Sequence, residues 1–305
     1  MNKLIRKLFF RGAKITTFLV TRLAENEVKE TVFLKKGKHV FDITKNHGMI
    51  CLDPFCMAAW LPDDKLNLIA PDEVTIQFKK ANKLNAVIKV SLIEKIATEK
   101  GALLLYKIEQ VSNYQLNVLH RLVFFAYLLR SPKNTYQSRK VISALYSYPR
   151  NIIIVSYQDE NYYNIFPMDI HSYLEEEGLY ILGLRTTNIT LGKILEAKKV
   201  LVCDTDQIDI NTVYNLGKHA SKSPTPKDQL PFKTAESELF GFPVPDFVGS
   251  YKEIEIIHHR KMGFHMLMLG KVVNSKKIRE NTASFYHVGF LQFQKSDYKS
   301  VEAVY

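Results

Sequence analysis

The stretch from Asn164 to Leu195 constrains the fold more than any other. It contains a strand-like run broken by Pro167, a short turn, and an apolar run, Leu179–Leu184, that leads directly into Arg-Thr-Thr. Because proline cannot donate a ladder hydrogen bond, a strand that contains it is expected at a sheet edge or a bulge. An unbroken apolar run is typical of a strand that is buried on both faces. The stretch therefore predicts an irregular edge strand and a buried strand whose end meets a helix.

Composition places the chain among ordinary globular proteins. Its 305 residues are enough for two domains, and 46% hydrophobic and 24% charged residues are typical of folded proteins. No apolar run approaches the roughly 20 residues of a membrane span, and the basic N-terminus lacks a signal-peptide cleavage site. Three cysteines argue against a disulfide framework, and Cys51 and Cys56 are read as ordinary thiols rather than zinc ligands. We expect a cytoplasmic protein without a transmembrane segment.

The net charge of +11 is unevenly distributed. Residues 1–140 carry 24 basic and 12 acidic side chains, and the remainder carries 18 and 19, so the basic excess lies entirely in the first half. We expect a basic domain over 1–135 and a second domain over 141–305, joined near Ser131–Lys140. The segment Asn2–Lys14 forms a basic, partly apolar face if it is helical, which suits an anionic membrane surface or nucleic acid; a solvated extension is the simpler alternative.

Short runs of β-branched and aromatic residues alternate with turn residues along most of the chain. This pattern predicts a mainly β protein with a few helices, and a smaller β-rich first domain that is closed by a helix over Leu116–Arg130. A dinucleotide-binding glycine motif, a P-loop, a zinc-protease motif and a nucleophile elbow are all missing from the sequence. These function classes are therefore not supported.

Three local features could carry chemistry. The first is the turn Arg185–Thr190, where an arginine, hydroxyl groups and the start of a helix could bind a monophosphate; an ordinary capped helix is the alternative. The second is the broken edge Asn164–Asp169, whose free backbone groups could face a flat ligand. The third is His265, which precedes an apolar strand and could donate to a cofactor, although a structural histidine is the more frequent explanation.

Together these features resemble the flavin reductase-like, FMN-binding split-barrel family over residues of about 148–293. The matching segments, in order, are Tyr-Pro-Arg-Asn-Ile-Ile-Ile-Val-Ser-Tyr, Tyr-Asn-Ile-Phe-Pro-Met-Asp, Leu-Gly-Leu-Arg-Thr-Thr-Asn-Ile-Thr and His-Met-Leu-Met-Leu-Gly-Lys-Val. Phe-Pro-Met-Asp stands where the family usually has small Ser/Thr-rich residues. Met262-Gly263-Phe264 stands where Gly-Asp usually precedes the histidine.

The resemblance implies a split β-barrel that binds FMN, or FAD, near a homodimer interface and uses NAD(P)H as co-substrate. It places the flavin ring beside Asn164, Phe166, Pro167, Met168 and Asp169. It places the ribityl chain and phosphate beside Arg185, Thr186, Thr187, Asn188 and Thr190, and His265 near the reacting face; no metal is expected. The implied activity is NAD(P)H-dependent flavin reduction. The alternative is a non-enzymatic flavin-binding protein whose basic first domain docks on an anionic partner.

Overall fold

A computed structural model describes residues 2–68, 74–129, 135–219 and 223–301. The prediction of a mainly β protein with a few helices is confirmed. The first half contains α1 (Asn2–Phe10), β1 (Phe18–Leu23), β2 (Glu30–Lys36), β3 (His39–Asp42), β4 (His47–Leu52), β5 (Phe55–Pro62), α2 (Asp63–Leu66), β6 (Val74–Lys80), β7 (Lys83–Ala97), β8 (Gly101–Asn113), α3 (Val118–Leu128) and α4 (Tyr136–Leu145).

The second half has a similar sequence of elements. It contains β9 (Arg150–Asn151), β10 (Ile153–Gln158), β11 (Tyr163–Met168), β12 (His171–Leu174), β13 (Leu179–Arg185), α5 (Leu191–Ala197), β14 (Lys199–Cys203), α6 (Ile210–His219), β15 (Thr234–Glu236), β16 (Pro243–Pro245), β17 (Ser250–Met262), β18 (His265–Lys277), β19 (Ser284–Gly289) and α7 (Phe290–Phe293). The proline-bearing strand β11 lies at a sheet edge, as predicted.

The two halves contain seven-stranded antiparallel sheets of the same topology. The first sheet has the order β3-β2-β6-β7-β8-β5-β4, and the second has the order β11-β10-β14-β17-β18-β13-β12. When the seven strands of each sheet are numbered along the chain, both sheets read 2-1-5-6-7-4-3. The chain is therefore a structural duplication, in which the first half repeats the strand arrangement of the second.

The duplicated sheets pack against each other through equivalent strands, because both halves contribute the corresponding strands to one shared cluster. Along β13, Tyr180 and Leu182 lie in the core of the second half, whereas Leu179 and Ile181 belong to a cluster shared by the halves. β5 alternates in the same way, with Trp60 in the shared cluster. The apolar run Leu179–Leu184 is thus buried on both faces because each face meets a different core.

The hairpin turns of the two sheets contact each other reciprocally. The backbone N–H of Phe264, in the β17–β18 turn, donates to the carbonyl of Asp53 in the β4–β5 turn at 3.0 Å. In the related contact, the N–H of Lys100, in the β7–β8 turn, donates to Glu177 in the β12–β13 turn at 2.9 Å. This exchange of equivalent contacts is that of a two-fold interface, here formed within one chain.

The ends of the chain join in a third sheet with the order β1-β19-β9. β1, near the N-terminus, pairs with β19, near the C-terminus, over the full length of both strands. The division into domains at 135 and 141 remains a prediction. Of the predicted linker Ser131–Lys140, residues 131–134 lie outside the described residues, and residues 136–140 form the first half of α4. The structure adds that the first 23 residues contribute a strand next to the second half.

Several local predictions have direct structural counterparts. The predicted helix over Leu116–Arg130 is α3, which spans Val118–Leu128. Cys51 and Cys56 are free, buried and opposite each other on β4 and β5. In the described ranges, the helices are all too short or too polar to cross a membrane. Those ranges also hold no group of three side chains suited to a metal ion.

Candidate functional site

The predicted phosphate turn, Arg185–Thr190, is hydrogen-bonded to the segment predicted to lie beside the flavin ring, Asn164–Asp169, which we call the ring wall. Asn164, buried on β11, donates from Nδ2 to the hydroxyl of Thr190 at 2.8 Å. Thr190 also shares a 2.8 Å hydrogen bond with the hydroxyl of Tyr162, and its N–H donates to Oδ1 of Asn188 at 2.8 Å. Asn164, Asn188 and Thr190 therefore form one buried polar unit that fixes the path of the turn before α5.

The same turn contacts the hairpin that carries the predicted histidine. Arg185, the last residue of β13, lies directly opposite His265 in the β13–β18 ladder. The N–H and the hydroxyl of Thr186 both donate to the carbonyl of Phe264, at 2.9 Å and 3.3 Å. The ring wall, the phosphate turn and His265 thus form one connected structure. Its two ends, Asn164 and His265, lie about 100 residues apart along the sequence.

Two residues of the turn keep their functional groups free. Arg185 and Thr187 are exposed, and across the described ranges no hydrogen bond or ion pair engages the Arg185 guanidinium. By contrast, Thr186, Asn188 and Thr190 are engaged in holding the turn together. An exposed, unpaired guanidinium offers a forked set of donors to an anionic group such as a phosphate.

His265 is buried and electrically neutral. Burial, together with the neighbouring positive charge of Arg185, lowers its pKa to about 4. Its Nδ1 lies 3.5 Å from Sγ of Cys51, a residue of the first half, and that thiol also donates to the carbonyl of Met262. The other ring nitrogen, Nε2, is buried without a hydrogen-bond partner. A buried polar atom without a partner costs free energy, so this nitrogen is suited to a bound ligand.

The remaining ring-wall residues have mixed surroundings. Phe166 lies inside the core of the second half, Met168 packs at the edge of that core, and Pro167 lies close to Gly217 of α6. Asp169 makes its hydrogen bonds with residues outside the phosphate turn. Its carboxylate accepts hydrogen bonds from Tyr146 and His287, each at 2.7 Å. The placement of the flavin ring beside these residues remains a prediction.

Burial and hydrogen bonding have opposite effects on Asp169. Burial opposes its ionisation, but the hydrogen bonds and the charge of His287, together with the Tyr146 hydroxyl, outweigh burial and lower its pKa to about 2. Asp169 is therefore an ionised, partnered carboxylate at neutral pH. This places it among structural ion pairs rather than among proton-transfer groups.

Asp169 also borders a cavity of about 410 Å³ between the two halves, a size typical of small-molecule sites. The first half contributes His47, and the second contributes Arg150 and His171. Burial lowers the pKa of His47 to about 3 and that of His171 to about 4, so both are neutral. No sequence pattern predicted this cavity, because its lining depends on how the two halves pack.

Comparisons with known proteins place the chain near flavin-binding structures. No protein-family model and no curated protein matches it. Similar solved structures include an FMN-binding protein from Thermus thermophilus (20% identity, 52% of this chain and 90% of that chain, TM-score 0.41). They also include the NADH:FAD oxidoreductase SgcE6 of Streptomyces globisporus (13% identity, 57% and 96%, 0.45) and the flavin reductase PheA2 (16% identity, 54% and 98%, 0.41).

These neighbours are FMN-binding proteins and flavin reductases, the class that the sequence resemblance names. Each is covered almost completely, whereas the match extends over only about half of this chain.

Proposed function

We propose that the chain is a flavoprotein that binds FMN and catalyses NAD(P)H-dependent reduction of flavin. The observation that carries this proposal is the connected unit of Asn164, Thr190, Arg185, Thr186 and His265. It presents an unpaired arginine and an unpartnered histidine nitrogen at adjacent ends of β13 and β18. The guanidinium is exposed, and the histidine nitrogen is buried but has no partner, so a ligand with a phosphate and a polar ring would give a partner to each.

The residues present fit the implied cofactor. Arg185 and Thr187 would hold the phosphate, while Asn164, Asn188 and Thr190 keep the turn in place. His265, neutral at pH 7, would offer Nε2 to the flavin or to the hydride donor. When bound, the flavin would supply the redox chemistry, and the protein would position and polarise it. The electron acceptor and a cytoplasmic location remain predictions.

The duplication offers a built-in comparison for this site. β5 of the first half corresponds to β13 and ends at Pro62, where β13 ends at Arg185. The residues that follow are Asp63 and Asp64, in place of Thr186 and Thr187. Two carboxylates at this position would repel a phosphate. We therefore expect one flavin per chain, bound by the second half. In this arrangement the first half would take the position that a second subunit occupies in the predicted homodimer.

The proposal is tested by the visible absorption of freshly purified protein and by titration of the protein with FMN. Arg185→Gln should weaken FMN binding by roughly tenfold to a hundredfold, the usual cost of one hydrogen bond to a charged group. Arg121→Gln, which removes one positive charge from α3 in the first half, is the matched control and should leave FMN affinity unchanged. A colourless protein that neither binds FMN nor oxidises NAD(P)H when FMN is added would refute the proposal.

A second variant separates binding from hydride transfer. His265→Asn should lower the rate of NAD(P)H oxidation by about tenfold or more, because a preorganised donor is lost. The affinity for FMN should change by much less than in Arg185→Gln. Equal losses of affinity in both variants would show that His265 only maintains the local fold.

A further inference from the structure

Helix α3 has apolar residues on its exposed face as well as on its buried face. Its inner face packs Phe124 and Phe125 into a cluster with Phe10 and Phe290. Its outer face consists of exposed apolar residues at helical spacing, namely Val118, Leu119, Leu122, Ala126 and Leu129. An apolar helix face is normally buried. The outer face of α3 is therefore a surface that another body is expected to cover.

Helix α1 extends this surface. It contacts α3 where the ring of Phe9 lies 5.2 Å from that of His120. Leu4 and Leu8, one helical turn apart, project from α1 and are 62% and 67% exposed. On α3, Leu119 and Leu122 are 59% and 52% exposed. We call the exposed apolar residues of both helices the α1–α3 surface.

The two segments of the chain that form this surface carry charges of one sign only. Residues 1–24 and 110–158 contain no aspartate or glutamate, although the chain has 31 acidic residues. The same segments carry exposed basic residues at Lys3, Lys7, Arg11 and Lys14, and Arg121 lies between Leu119 and Leu122 on α3. The α1–α3 surface thus combines aliphatic side chains with cations and lacks carboxylates.

We propose that the α1–α3 surface docks on the surface of an anionic lipid bilayer. The interfacial region of a bilayer accepts leucine side chains among its acyl chains, and its anionic headgroups attract lysine and arginine. A second copy of the chain fits less well, because a two-fold contact through this surface would place cations against cations. Nucleic acid would satisfy the cations but would leave the aliphatic side chains in water.

The proposal is tested by sedimentation of the full chain with vesicles. One set contains phosphatidylcholine alone, and the other also contains phosphatidylserine. We expect binding to the second set, and we expect it to weaken as the salt concentration rises from about 0.1 M to about 1 M. The double variant Leu119→Gln with Leu122→Gln should bind at least about tenfold more weakly, because two leucines no longer enter the bilayer. Leu239→Gln, at a site 58% exposed in the second half, is the matched control.

The cationic contribution is tested separately. Lys3→Gln combined with Lys7→Gln and Arg121→Gln should abolish the preference for phosphatidylserine, whereas Arg185→Gln should keep it. These side chains are exposed or at the surface, so circular dichroism and thermal melting should confirm that each variant is folded. Equal binding to both vesicle sets, or no binding to either, would overturn the proposal. So would binding to a synthetic acidic amphipathic peptide without binding to vesicles, which would indicate a protein partner.

Discussion

The packing of the two halves makes a sharp prediction for Gly183. This glycine lies in the middle of β13, where the strand crosses β4 of the first half. A Cβ at this position would lie 2.6 Å from the carbonyl oxygen of Ile50 and 2.5 Å from a methyl carbon of Ile170. Real Cβ atoms do not approach other heavy atoms so closely, and the Ile50 oxygen is backbone. Gly183→Ala therefore requires β4 and β13 to move apart.

The loss in the free energy of unfolding caused by Gly183→Ala should lie at the upper end of the range for overpacked cores. Such substitutions cost about 1–3 kcal/mol, and the rigid backbone on one side leaves little room for relaxation, so we expect about 3 kcal/mol. The free energy of unfolding should be measured by urea denaturation. Gly192→Ala is the matched control, because no atom lies within 4 Å of its Cβ position in α5. It should be neutral or stabilising by up to about 1 kcal/mol, since alanine favours helices.

Equal denaturation midpoints for wild type and Gly183→Ala would refute the close contact between β4 and β13. They would also count against the packing of the two halves, because β4 and β13 are among the strands that form it. A second check is the slope of the unfolding transition. If the variant separates the halves without unfolding them, the single transition should split into two.

Three further predictions concern titratable groups. Folding lowers the pKa of Asp169 to about 2, so its ionised form should contribute about 2 kcal/mol to the free energy of unfolding above pH 4, and this contribution should be lost as the pH falls towards 2. Asp169→Asn should remove this acid-dependent part, as measured by urea denaturation across pH. The pKa of His171 is lowered to about 4 in the folded protein, so protonation of this residue favours the unfolded state. The free energy of unfolding should therefore fall as the pH drops below about 6.5, and it should fall less in His171→Gln. Burial raises the pKa of the thiols of Cys51, Cys56 and Cys203. All three should therefore resist a thiol reagent at pH 8 in the folded protein and react after denaturation. Rapid labelling of the native protein would contradict this prediction.

Sequence reasoning worked where a local rule determines structure. Pro167 correctly indicated an edge strand, because a missing backbone donor has the same effect in any sheet. The unbroken run Leu179–Leu184 correctly indicated burial on both faces. The helix after the Arg-Thr-Thr turn was also foreseen, and it spans Leu191–Ala197. The edge strand and the helix follow from interactions within a few residues of the pattern, whereas the apolar run predicts its burial but not the partner that buries it.

Sequence reasoning did not reveal what depends on distant packing. The environment of Asp169 is set by Tyr146 and His287, which are 23 and 118 residues away. The duplication of the sheets was also hidden. At related positions the first half has His47-Gly48-Met49 and the second has His171-Ser172-Tyr173, which share only the histidine. Backbone ladders tolerate many side chains, so one topology can persist without a visible repeat.

The duplication also suggests why the charge is so uneven. Two related sheets that pack through equivalent strands need apolar residues in their own cores and in the shared cluster, but not on their outer surfaces. If Arg185 and His265 of the second half bind the flavin, the first half needs to form the interface but does not need to bind flavin. Asp63 and Asp64, which stand in place of Thr186 and Thr187, are consistent with this difference. Its outer surface could then acquire basic and aliphatic residues without affecting the site. On this account the basic excess and the exposed leucines of the first half share one origin, and variants of the α1–α3 surface should change lipid binding without changing flavin affinity.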